Sequence, residues 1–95
     1  MKIKVGECEF EIEVYYDGSD SISDYIKCVD GVTTNIGFLK KSNISNYSGF
    51  ITDTVALNTD RKPISFQVFA TDEKTIREQA LKIASHSKDL FVKIP

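Results

Sequence analysis

The sequence predicts an α+β fold: a single small domain, residues 1–95, in which a mostly antiparallel sheet of four to six strands carries a main helix on one face. Three observations lead to this prediction. Apolar residues alternate with polar ones near the start of the chain and over 64–70, and they recur with helical spacing over 72–86. Clusters of turn-forming residues separate these segments. The expected order of elements is β-β-α-β-β-β-α-β.

The first two strands are predicted to form a β-hairpin over residues 2–16 that turns at Gly6-Glu7. Apolar residues are odd-numbered before Gly6 and even-numbered after it, and one straight strand cannot change phase in this way. A two-residue turn restores the phase, and glycine at its first position is what a type II′ turn requires. The resulting register pairs apolar residues on one face and opposite charges on the other: Val5 with Cys8, Ile3 with Phe10, Lys4 with Glu9 and Lys2 with Glu11.

A short helix is predicted at about residues 20–30. Ile22, Tyr25, Ile26 and Val29 follow the spacing of one apolar helical face. The competing interpretation makes the second half of this segment a strand.

The middle of the chain is predicted to contain two strands with a loop between them. The first strand covers residues 34–39 and the loop covers 40–46. The second strand covers 49–57, where Ile51 and Val55 belong to an alternating apolar set.

A strand, a helix and a strand are predicted to complete the chain. The strand covers 64–70, with Phe69 on its outer face, which indicates either a strand covered on both sides or an exposed interaction surface. Asp72 is expected to cap the helix over 72–86, and the last strand covers 90–94.

The predicted core combines the apolar faces of these elements. Its members are Ile3, Val5, Phe10, Ile12, Val14, Ile26, Val29, Val55, Ile64, Phe66, Val68, Ile76, Ala80, Ile83, Leu90 and Val92.

Charge is unevenly distributed along the chain. The first thirty residues carry eight acidic and three basic side chains, whereas the remainder carries six acidic and nine basic ones. No apolar run approaches the roughly 18 residues that a membrane span needs, and no secretory leader pattern opens the chain. We therefore expect a cytoplasmic protein with no membrane contact. In that compartment a disulfide between Cys8 and Cys28 is not expected.

The sequence contains no recognisable catalytic, metal-binding or cofactor-binding motif. His86 is flanked by serines and an aspartate, but catalytic triads are assembled from distant segments, so we interpret it as a capping or surface residue. One histidine and two separated cysteines do not form a zinc-ligand pattern. The five glycines are scattered singly and form no phosphate-binding loop. We expect no enzyme activity, no catalytic residue, no metal and no cofactor.

The acidic start of the chain predicts a surface that binds a partner protein. A row of carboxylates on one strand suits a basic surface, speeding association and setting register. We expect a small acidic inhibitor or accessory subunit, of the kind that phages and mobile elements encode, which could also form a homodimer through an edge strand. The candidate partner-binding residues are Glu7, Glu9, Glu11, Glu13 and Asp17.

Two alternatives remain. Nucleic-acid binding would use the basic residues Lys40, Lys41, Arg61 and Lys62, with Tyr47 and Phe50 stacking on bases. The sequence pI of about 5.3 speaks against this function. The second alternative is a small enzyme without a recognisable motif.

Overall fold

The structure, a computed structural model, describes residues 1–41 and 46–95, and it describes the backbone alone for Phe38, Lys40 and Lys41. Ten elements follow one another: β1 (Lys2–Val5), β2 (Cys8–Glu11), β3 (Tyr15–Asp17), α1 (Ile22–Tyr25), β4 (Gly31–Thr33), α2 (Ile36–Lys41), α3 (Tyr47–Leu57), β5 (Ile64–Gln67), α4 (Glu73–Ala84) and β6 (Leu90–Lys93). The chain therefore mixes strands and helices, as predicted.

The strands form two separate sheets, so the prediction of one mostly antiparallel sheet was wrong. Strands β1 and β2 pair antiparallel as an isolated ribbon. The other four strands form a parallel sheet in the order β3-β4-β5-β6. Each neighbouring pair is joined by helical segments, which is the connection that parallel strands require.

Three of the helices, α1, α3 and α4, contribute buried residues to a core on one face of the parallel sheet. The side chains buried between sheet and helices form the core: Ile22, Ile26, Val32, Ile51, Ile64, Phe66, Val68 and Ile83. The strand residues that alternate with the core residues, among them Tyr15 and Phe91, lie on the opposite face of the sheet.

The segment predicted as a strand over 49–57 is the helix α3. The alternating set misled the prediction because Ile51 and Val55 are also four residues apart, on one helical face. Asn46 caps the helix, its Oδ1 accepting a hydrogen bond from the Gly49 amide at 3.0 Å. The hydroxyls of Thr52 and Thr54 donate to carbonyls four residues earlier, which satisfies these polar groups inside a helix.

Other local predictions were corrected in the first half of the chain. The helix predicted over 20–30 is the single turn α1, after which the chain bends towards β4. The strand predicted over 34–39 is replaced by the helix α2, and part of the loop predicted over 40–46 lies outside the described residues. The hairpin predicted over 2–16 ends at Glu11, and Tyr15 and Tyr16 belong instead to β3, which pairs in parallel with β4. Three-residue strands such as β3 and β4 are too short to show a periodicity, so they were not predicted as separate strands.

The predictions for the last third of the chain are confirmed. Strands β5 and β6 and the helix α4 occur where the periodicity placed them, although β5 ends at Gln67. Asp72 caps α4, since its Oδ2 accepts hydrogen bonds from the amide and the hydroxyl of Thr75 at 3.0 and 2.8 Å. These bonds hold the pKa of Asp72 below its usual range.

The predicted core was right for the sheet and wrong for the hairpin. Ile26, Ile64, Phe66, Val68 and Ile83 are buried. Partly buried residues packed against them are Val29, Val55, Ile76, Ala80, Leu90 and Val92. The predicted core residues Ile3, Val5 and Phe10 are exposed instead, and the buried residues that the prediction omitted are Ile22, Val32, Leu39 and Ile51.

The molecule is elongated because the hairpin projects from the sheet. Its radius of gyration is 15.0 Å and its extents are 50, 27 and 25 Å, whereas a compact chain of this length has a radius of gyration of about 12 Å. None of the described helices is long and apolar enough to span a membrane.

Candidate partner-binding surface

The projecting hairpin, called the ribbon below, comprises β1 and β2. Its register is the predicted one, with Val5 opposite Cys8 and Ile3 opposite Phe10. Gly6 has a φ of +62°. The residue after it does not share this left-handed conformation, which fits a type II′ turn. Every residue of the two strands is exposed.

One face of the ribbon is an unpartnered apolar strip. Ile3, Val5 and Phe10 expose 36, 62 and 49% of their surfaces. Cys8 lies on the same face, and its thiol is free and exposed. These apolar side chains face solvent, because no second layer packs on this face of the ribbon within the described residues.

The opposite face of the ribbon is charged. Lys4 lies opposite Glu9 and Lys2 opposite Glu11, as predicted. The ion pair that forms on the ribbon is a different one, between the Met1 amino group and Glu11 Oε1 at 3.0 Å. This hydrogen bond raises the pKa of the amino group. Glu7 at the tip and Glu9 make no ion pair within the described part of the chain.

The five acidic residues predicted to bind a partner do not form one row. Glu7, Glu9 and Glu11 lie on the ribbon. Glu13 lies in the connection to the sheet and accepts a hydrogen bond from the hydroxyl of Tyr15 at 3.1 Å. Asp17 lies on the edge strand β3, where its Oδ1 accepts a hydrogen bond from the Thr33 hydroxyl at 2.7 Å. The ribbon therefore carries three of the five.

Two of the basic residues of the nucleic-acid alternative, Arg61 and Lys62, form hydrogen bonds within the fold. Arg61 Nε donates to Asp89 Oδ2 at 3.0 Å, and Lys62 Nζ donates to the Ile26 carbonyl at 2.6 Å. The side chains of Lys40 and Lys41 lie outside those that the structure describes.

The aromatic residues of that alternative belong to the core region. Tyr47 and Phe50 each pack edge-to-face against Phe66, with ring centroids 6.3 and 5.8 Å apart. The Tyr47 hydroxyl donates to the Gln67 carbonyl at 2.7 Å. Bases could stack on these rings only after the rings had left their packing.

A groove of about 150 Å³ lies between α3 and α4 and contains His86 among its lining residues, with Tyr47, Ser48, Phe69, Gln79 and Lys82. The serines flanking His86 do not form a catalytic arrangement with it. The Ser85 hydroxyl donates to the Lys82 carbonyl, and the Ser87 hydroxyl donates to Asp89. Within the described residues, no three histidine, cysteine or carboxylate side chains gather as a metal site.

Burial in this region raises the pKa of Tyr47 to about 12, from an ordinary value near 10. Because the fold favours the neutral phenol, the contribution of Tyr47 to stability is complete below about pH 10 and is lost as the pH rises towards about 12. We expect ultraviolet titration of the phenolates to show a late step near pH 12 that Tyr47→Phe removes. An unchanged late step in that variant would contradict this placement.

A second surface was missed from the sequence: the face of the parallel sheet opposite the core. Tyr15 and Phe91 lie on it, and Phe91 exposes 62% of its surface. The signal was present in the alternation of Leu90-Phe91-Val92-Lys93, whose even-numbered members face the core. It could not be interpreted without knowing that the four strands are neighbours.

No protein-family model matches the chain, and no curated protein matches its sequence.

Proposed function

We propose that this protein is a non-catalytic protein-binding module that docks onto a partner protein through the ribbon. The observation that supports this proposal is the exposed apolar strip of Ile3, Val5 and Phe10 on a ribbon that projects from the sheet. Contiguous apolar surface of this kind is typical of interaction sites. An accessory subunit or a small acidic inhibitor is the class of protein that fits.

The apolar strip supplies the affinity of the proposed contact. Burying a valine, isoleucine or phenylalanine side chain contributes roughly 1.5–3 kcal/mol. Three such residues side by side contribute to the affinity of a complex, against the cost of association. In the free chain only part of this stabilisation is realised, because 36–62% of the surface of each residue is still exposed.

The charges on the ribbon define the complementary surface. Glu7 and Glu9 are free of ion pairs within the described residues. Glu7 lies in the turn at the end of the apolar strip, and Glu9 lies on the opposite, charged face of the ribbon. Charges at the rim of an interface steer association and fix its register more than they add affinity. The partner surface that fits is an apolar strip with basic groups beside it.

The edge-strand homodimer predicted from the sequence would use a different part of the molecule. Strands β3 and β6 are the edges of the parallel sheet, and an unpaired edge is a template for pairing with a second chain. This pairing would bury backbone groups and would leave the apolar strip of the ribbon exposed. The strip therefore favours docking through the ribbon.

The test is affinity capture with three variants that change exposed apolar residues. Val5→Ser and Phe10→Ser alter the ribbon, whereas Leu81→Ser alters an equally exposed residue on α4. Capture from an extract of the cells that make the protein is expected to fall by about ten-fold or more for each ribbon variant, as the loss of roughly 1.5–3 kcal/mol implies. The α4 variant is expected to capture the partner as the original chain does.

Charge reversal provides a second arm of the same test. Glu7→Lys with Glu9→Lys is expected to slow association most strongly at low salt, because exposed charges are screened as ionic strength rises. Equal capture by the original chain and both ribbon variants would contradict the proposal. Nucleic acid that co-purifies equally with all variants would favour the nucleic-acid alternative.

A further inference from the structure

The groove between α3 and α4 has an apolar floor and aromatic walls. The floor is formed by Ile51 on α3 and Ile83 on α4, which are 2 and 4% exposed. The walls are the rings of Tyr47 and Phe69, which meet edge-to-face with their centroids 4.8 Å apart. Among the described residues that line the groove, none belongs to the ribbon. The groove is therefore separate from the surface proposed above to dock onto a partner.

Hydrogen bonds hold both walls in place. The Tyr47 hydroxyl donates to the Gln67 carbonyl at 2.7 Å. On the other side of the groove, Gln79 Oε1 accepts hydrogen bonds from the amides of Phe69 and Ala70 at 2.8 and 3.1 Å. The groove is therefore formed in the free chain, and binding there does not carry the cost of ordering its walls.

The size of the groove matches one six-membered ring. Its volume is about 150 Å³, and an apolar cavity of about that volume in another protein binds benzene. Pockets for drug-sized molecules are about 300–1,000 Å³, so a larger ligand would leave most of its surface outside this groove. Aromatic walls favour a flat ring, because rings attract one another in edge-to-face and offset-stacked arrangements.

The free polar groups that line the groove can all donate hydrogen bonds. Within the described part of the chain, the Ser48 hydroxyl, the Lys82 ammonium and the His86 ring have no hydrogen-bond or ion-pair partner. The two backbone amides occupy Gln79 Oε1, which leaves the Nε2 group of this residue as a donor. The imidazole of His86 offers at least one N–H in either of its protonation states. This set of donors suits a ligand that only accepts.

The charge beside the groove is positive. The acidic residues close in sequence to its lining are Asp53, Glu78 and Asp89, and none of them lines it. Asp89 is paired with Arg61. The start of α3 and the end of α4 lie beside the groove, and the partial charges of these two helix ends have opposite signs and oppose each other. The Lys82 ammonium therefore sets the sign, and it favours an anion.

We propose that the groove binds a small carboxylate that carries one apolar ring. The ring lies against Tyr47 and Phe69, and the carboxylate accepts hydrogen bonds from Lys82 and His86. A carboxylate has two oxygens that only accept, so it satisfies several donors at once, and its bonds to a cation are stronger than neutral ones. This site goes beyond the proposed function and does not depend on it.

The test is a titration of the isotope-labelled full chain with three small molecules, followed by NMR of the backbone amides. Benzoate carries a ring and a charge, benzamide carries the ring without the charge, and acetate carries the charge without the ring. We expect benzoate to shift the amides around the groove to saturation. We expect it to bind about five-fold or more tightly than benzamide, because hydrogen bonds to charged groups are stronger. Acetate is expected not to saturate the site at the same concentrations.

Two matched pairs of variants locate the ligand. Phe69→Ala removes one wall, and Phe10→Ala removes a ring of similar exposure from the ribbon, the two exposures being 47 and 49%. Lys82→Met removes the ammonium group beside the groove, and Lys74→Met removes one elsewhere on α4. Phe69→Ala and Lys82→Met are expected to raise the dissociation constant of benzoate by about five-fold or more, and their controls to leave it unchanged. Lys82→Met should also reduce the preference for benzoate over benzamide.

Benzamide that binds as tightly as benzoate would overturn the inference, since the groove would then recognise a ring without its charge. Shifts that do not saturate, or that saturate on the ribbon instead, would also overturn it. Equal weakening by Lys82→Met and Lys74→Met would mean non-specific attraction of an anion. Circular dichroism of each variant checks that the fold is retained. None of these outcomes bears on docking through the ribbon, which affinity capture tests separately.

Discussion

Replacing Phe66 by alanine is expected to lower the free energy of unfolding by about 3–5 kcal/mol, as loss of a buried phenylalanine does. Phe66 is fully buried in β5, one of the two central strands, and Tyr47 and Phe50 each pack edge-to-face with its ring. The cavity left behind would lie between the sheet and α3. A domain of this size has a total stability of about 5–15 kcal/mol, so chemical denaturation should show a large shift in the midpoint.

Phe10 provides the matched control for this experiment. Phe10→Ala removes the same atoms from a ring that is 49% exposed and packs across the ribbon against Ile3. Such a cross-strand pair contributes roughly 0.2–1 kcal/mol, so we expect a change within that range. A loss for Phe10→Ala as large as that for Phe66→Ala would mean that the ribbon packs against the sheet, contrary to the structure.

Gly31→Ala is expected to destabilise the chain by roughly 1–3 kcal/mol or more, which is the usual cost of overpacking. A Cβ at this position would clash with Tyr15 Cε2 and would lie 2.6 Å from the Pro63 carbonyl oxygen. The ring can move, but the carbonyl belongs to the backbone beside β5. The ring of Tyr15 lies over Gly31, so the substitution also displaces this ring.

The double variant separates the two contacts of that Cβ. Tyr15→Ala with Gly31→Ala removes the ring and keeps the contact with the carbonyl. Chemical denaturation should therefore show that Gly31→Ala costs less stability in the Tyr15→Ala background than in the original chain. Unfolding of Gly31→Ala at the same denaturant concentration as the original chain would show that the strands are spaced differently from the structure.

The elements that could be predicted are those long enough to show several helical turns or several alternations of apolar and polar residues. The ribbon register followed from the phase change at Gly6, and α4 followed from its apolar stripe and its Asp72 cap. The helix α3 was mistaken for a strand because β-branched residues with alternating polarity suit both structures until the caps are known. Strands of three residues carry no periodic signal, and the parallel arrangement followed only once the extra helices were recognised.

The candidate surface was predicted in part. The acidic character of the ribbon was evident, and Glu7, Glu9 and Glu11 lie there. Its apolar face was assigned to the core, since a sequence pattern shows which residues share a face but not whether anything covers that face. The separation of the ribbon from the sheet depends on the bonds between Val14 and Asp30. That long-range contact leaves no trace in local periodicity.

The most direct test of the central claim, that the apolar face of the ribbon contacts another macromolecule, uses the two free thiols. Cys8 lies on that face, whereas Cys28 lies outside the ribbon, and both are exposed in the isolated chain. The rate of alkylation of each thiol is measured in dilute pure protein, in concentrated pure protein and in an extract of the source cells. We expect Cys8 to react much more slowly in at least one of the last two conditions, while Cys28 reacts at a constant rate. Equal rates for Cys8 under all three conditions would contradict it.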